Sequence, residues 1–126
     1  MGLDMYARTA PAGSIKKEVD FFEPDGTEEF HYWRKHNALH GWMGQLYAAK
    51  GGVDSQFNCS NLQLNGEDLD ALQDALEHKT LPVTGGFFFG SDSSEDAGRT
   101  EDDLVFVAMA RLALQQGKQV YYTSWW

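Results

Sequence analysis

Three stretches of this chain place apolar residues at helical spacing, each closed by glycine or proline, with short strand-like runs between them. This alternation limits the fold more than any other feature. From Trp33 to Lys50 the pattern Leu39, Trp42, Met43 and Leu46 predicts a helix that Gly51 and Gly52 end. Gly41 and Gly44 inside it predict close approach by another backbone or a bulky ring. Asn65 is placed to cap a second helix with a Leu69, Leu72 and Leu76 stripe, its acids Glu67, Asp70, Asp74 and Glu77 facing water, and it ends before Pro82. Thr100 is expected to cap the third. Glu101, Asp102 and Asp103 lie at its positive end, Leu104, Val105, Ala108, Met109 and Leu112 are predicted to pack inward, and Gly117 stops it.

Strand expectations fill the gaps. Leu3 to Thr9 alternates up to the Pro11-Ala12-Gly13 breaker, and Lys16 to Phe22 with Glu28 to Tyr32 flank a Glu23-Pro24-Asp25-Gly26 turn as a hairpin. Gln56 to Leu64, the aromatic run Gly85 to Gly90 and Gln119 to Ser124 read as further strands. With 126 residues and 42% apolar composition, the expectation is a single α+β domain over 1–126, a mixed or antiparallel sheet of about four strands packed with three helices.

Charge and cysteine content narrow the function. A formal charge of -9 repels phosphate backbones, so direct nucleic-acid binding is not expected; the same excess can attract a basic partner or imitate a phosphate backbone, although acidity by itself more often reflects solubility. Cys59 is the single cysteine, which leaves no internal disulfide or Cys-based zinc site and points to a reducing compartment. The N-terminus lacks an apolar leader and no run is long enough for a membrane span, so the expected location is cytoplasmic with no membrane partner.

The segment HYWRKHNALHGW concentrates three of the four histidines and two of the four tryptophans in residues 31–42. On one helix His36 and His40, four apart, would share a face and supply half a zinc site, but Asn37 stands where the HExxH pattern needs Glu. The competing reading has His40, next to Gly41, hydrogen-bond a neighbouring strand while His36 lies at the edge of the apolar face. Gly85 to Ser91 lacks the lysine of a phosphate loop, and no Gly-x-Ser-x-Gly elbow is present, so no catalytic residue and no cofactor is assigned. Trp33, Trp42, Trp125, Trp126 and Phe87 to Phe89 exceed what one small core hides. Partner contacts are therefore expected at Trp33, Arg34, Trp125 and Trp126 and at the acids Asp70, Asp74 and Glu77, with a homodimer as one form of partner.

The blocks MGLDMY, YWRKHNALHGW, GFFFGS and YYTSWW together resemble a family of small uncharacterised proteins of bacteriophages and bacterial genomes. Members sometimes carry a phosphoglycerate kinase label, for which this chain is too short and lacks a nucleotide-binding signature. The resemblance implies a phage or prophage setting in a bacterial host and brings no catalytic residue with it. Three functions are expected in turn: a non-enzymatic binding module acting on a host or defence protein, a small metal-assisted hydrolase built on His36 and His40, and a self-associating accessory protein.

Overall fold

The computed structural model describes residues 2–82 and 93–126, apart from the side chains of 93–98. Its elements run β1 (Asp4–Ala10), β2 (Glu28–Arg34), α1 (Asn37–Ala49), β3 (Leu62–Leu64), α2 (Gly66–Glu77), α3 (Ser93–Gln115) and β4 (Gln119–Trp125). The strands form one antiparallel sheet in the order β2-β1-β4-β3. Among the described residues, three helices and four strands make the α+β domain that the alternating pattern predicts.

The period-two alternation of β1 and β4 sorts the sheet into two faces. Met5 and Ala7 of β1, Val120 and Tyr122 of β4, and Leu62 and Leu64 of β3 share the face that carries the main core. The helices lie on that face. Leu39, Met43 and Tyr47 project from α1, Leu69, Leu72 and Leu76 from α2, and Phe106, Val107, Ala110 and Ala113 from α3. On the opposite face, Ala10, Ile15, Phe21 and Tyr121 form a smaller cluster toward one end. Covered on both faces, β4 is buried from Val120 to Ser124.

Polar groups fix the helices to this sheet. Asn65 caps α2 reciprocally: its side chain accepts from the Asp68 N–H while Asp68 accepts from the Asn65 N–H. Lys50, just past α1, donates to Asp68 Oδ2 at 2.5 Å and to the Gln63 carbonyl at 2.7 Å, and so ties three elements with one largely buried cation. Tyr47 donates to Asp20 Oδ1 and accepts from the Asp54 N–H.

The expected boundaries change where local polar capture or left-handed backbone overrides the pattern. The helix expected from Trp33 starts at Asn37, because β2 continues through Arg34, opposite Asp4, and Lys35 then turns the chain at φ 56°. The Pro24-Asp25-Gly26 turn forms, with Thr27 Oγ1 donating to the Pro24 carbonyl, but the hairpin does not. Instead β2 pairs with β1, and residues 16–22, broken by left-handed Asp20, supply a single bridge from Val19 to Leu62.

The strand expected from Gln56 shrinks to Leu62–Leu64. Asp54 captures the N–H groups of Gln56 and Asn58 and the Ser60 hydroxyl, while Phe57 and Cys59 adopt φ of 48° and 60°, so residues 54–60 are a turn. The third helix spans Ser93–Gln115, beginning earlier than the expected Thr100 cap. Ser93-Ser94-Glu95-Asp96 has the hydroxyl-then-acid order of a helix start. The strand expected over Gly85 to Gly90 lies outside the described residues.

Gly52 has tight surroundings: a Cβ there would sit 2.2 Å from the Tyr47 ring, which two hydrogen bonds hold in place. Gly44 meets Phe57 at 3.4 Å, the bulky ring expected beside it. Gly52→Ala is therefore expected to lower stability by about 2 kcal/mol in urea denaturation, while Gly66→Ala, with open space around it, is expected to change it little.

Candidate functional site

The aromatic segment is built around a break in the β1–β2 register between Ala7 and Arg8, where Ala7 faces His31 and Arg8 faces Glu29, leaving Phe30 as the extra residue. Such a bulge re-aims side chains. Phe30 and His31 both reach Phe106 of α3, with ring centroids 5.8 and 5.7 Å away, and Trp33 meets the same ring edge-on at 4.8 Å. One phenylalanine is thus surrounded by three rings of β2.

Two neighbouring acids of α3 complete the contact. His31 Nε2 lies 3.0 Å from Asp102 Oδ2. Asp103 is deeper, 1% exposed, and receives the Trp33 indole N–H at 2.9 Å on one oxygen and His36 Nε2 at 2.6 Å on the other. A carboxylate buried this far is tolerable because both oxygens are met by donors.

His40 takes a different path. Its Nδ1 lies 2.7 Å from the Tyr122 hydroxyl, and its ring stacks on Phe57 at 5.0 Å. Burial lowers its pKa from 6.5 to about 4, and burial also holds the Tyr122 hydroxyl well above its ordinary range. The arrangement satisfying both groups has Tyr122 donating to Nδ1, with the imidazole proton on Nε2.

His36 and His40 therefore serve different partners, Asp103 and Tyr122, and the half zinc site drawn from their spacing does not form: His36 stands at the N-cap position of α1, outside the helix proper, with its ring turned to Asp103. Among the described residues, no three His, Cys, Asp or Glu side chains gather as a ligand set for a metal ion. His78 is exposed against Asp74, whose carbonyl and carboxylate raise its pKa.

The expected partner residues divide by exposure. Trp33 is a correction: at 4% exposure it belongs to the core and spends its N–H on Asp103. Arg34 is exposed at the end of β2. Trp125 is 69% exposed, whereas Trp126 folds back: its N–H and carbonyl bond the Asn58 side chain at 2.9 and 2.7 Å, and its indole N–H reaches the Phe57 carbonyl. Asp70, Asp74 and Glu77 all face outward on α2.

Beside these acids lies a groove of about 300 Å³ between α2 and α3, lined by Gln73, Glu77, Leu104, Val107, Ala108 and Arg111. Arg111 closes one end by donating to Asp70 Oδ1 at 2.7 Å and Gln73 Oε1 at 2.8 Å. The inward face predicted for α3 is corrected here. Val105, Met109 and Leu112 point to solvent, 52%, 41% and 54% exposed, while Phe106, Val107, Ala110 and Ala113 pack on the sheet. The sequence did hold the sign of this: from Leu104 to Leu114 only Arg111 is charged, so no rotation of the helix hides every apolar residue.

Comparison with family models, curated proteins and solved structures finds no match.

Asp103→Ala is expected to lose about 3 kcal/mol of stability, since it strands a buried indole N–H and a buried imidazole together; chemical denaturation checks this. His40 binds its proton in the unfolded chain near pH 6.5 but in the fold only near pH 4. Its contribution is thus complete above 6.5 and lost on acidification toward 4. Partial solvent access leaves about 2 kcal/mol of this, visible as a flatter stability-pH profile in His40→Gln over that window.

Proposed function

We propose that the protein is a non-enzymatic binding module that engages a basic protein through the acidic face of α2. In the phage or prophage setting implied by the motif resemblance, that partner is a host or defence protein in the bacterial cytoplasm. The observation that carries the reading is the row Asp70, Asp74 and Glu77, held outward on a helix whose opposite side is locked into the core by Leu69, Leu72 and Leu76. Rim carboxylates on a rigid helix speed encounter with a cationic surface and make it salt-sensitive. Supporting it, His31, His36 and His40 are all spent on structural hydrogen bonds.

Self-association is a second reading, favoured by the exposed Trp125, which the register places on the same sheet face as Tyr6 and Tyr32. Sizing of the full chain against one ending at Ser124 tests it, a fall in mass on truncation being the expected sign.

For the first reading, crosslinking and mass spectrometry in host extract should return a basic partner whose affinity falls as salt rises. Asp74→Lys with Glu77→Lys is expected to weaken that complex at least about tenfold. Affinity indifferent to both salt and charge reversal would refute it.

A further inference from the structure

The geometry points to a docking site for one kind of partner element, a cationic amphipathic helix laid along the α2–α3 groove with its apolar side on Val105, Ala108, Met109 and Leu112. This rests on the reading of the α2 acids given above and adds the shape of what binds there.

The stripe is contiguous. Val105 and Leu112 stand two turns apart on α3, about 10 Å, with Ala108 between them both on the outer stripe and in the groove wall, and Met109 alongside. Apolar side chains at i, i+3, i+4 and i+7 that face water on a helix already buried on its far side form the surface that accepts another helix. The groove beside the stripe supplies depth, with Leu104 and Val107 beneath and Gln73 and Glu77 on the other wall.

Charge selects the occupant. Glu77 lines the groove on the α2 side, Asp70 stands at the end that Arg111 closes, Asp74 is exposed on the same helix, and Glu101 stands exposed one turn before Val105 on the stripe. A helix with lysines or arginines flanking an apolar seam meets acid along the groove and carbon at its centre. A second copy of this chain, presenting the same acids, would meet like charge instead.

The test uses a fluorescent peptide about five turns long, with a leucine seam flanked by lysines, and a scrambled peptide of the same composition. By anisotropy with the intact protein, the seamed peptide should bind at least about tenfold more tightly than the scrambled one. Leu112→Glu should weaken it about tenfold, although it adds negative charge and a purely ionic contact would grow stronger; Leu112→Gln separates the two effects if the acid disturbs the helix. Equal binding of both peptides, with Leu112→Glu neutral or tightening, overturns the groove while leaving the acidic surface intact. Failure of both peptides to bind overturns groove and acidic surface together. A concentration-dependent dimer abolished by Leu112→Glu overturns the proposed occupant in favour of a second copy.

Discussion

The Asp103 carboxylate decides how the third helix sits. It is buried and reaches donors from two places, the indole of Trp33 on β2 and the imidazole of His36 at the start of α1. With those bonds made, and Phe106 one turn later inserted among the β2 rings, α3 has no freedom to roll. Everything else on that helix follows from its rotation: Ala110 and Ala113 lie against the sheet, Arg111 reaches α2, and Val105, Met109 and Leu112 are left on the water side.

The helix layer and the acid row answer to different forces. Burial of leucines fixes α2 on the sheet, and the same amphipathic pattern puts its carboxylates outward. Lys50 then joins the end of α1 to the first turn of α2 through Asp68, an ion pair with little solvent access that is reinforced by the Gln63 carbonyl. A pair so enclosed fixes geometry more than it adds stability, because desolvation offsets much of the attraction. The benefit is a rigid platform on which exposed groups keep their spacing.

Much of the architecture was legible in the residues. The Asn65 cap, the leucine stripe of α2, the terminal strand around Val120 to Tyr122 and the first strand all follow local rules that the tertiary structure obeys. Other elements did not, each for a reason outside the hydrophobic pattern. The segment 54–60 is alternating enough for a strand, yet the Asp54 side chain takes the backbone and hydroxyl donors there. The partner of β2 was misjudged because a good turn sequence was present, whereas the pairing was settled by β1. The histidine spacing misled because His36 stands at the N-cap of α1, outside its helical backbone, and turns to Asp103 while His40 turns to Tyr122. Of the site, the acids were readable and the outward stripe of α3 was not, since a helix apolar on nearly every side does not announce which side meets the sheet.

The sheet order has its own consequence. Its two central strands are β1 and β4, so Met5 lies opposite Ser124 and Ala7 opposite Tyr122. The β2-β1 and β4-β3 halves do not join into one sheet until residues far apart in this sequence, on β1 and β4, have met. Loop-closure entropy is paid before that contact returns anything, which makes assembly slow for a domain of this size. Loss of residues 119–125 would not trim an edge; it would part β3 from β1 and leave the helices without a common floor.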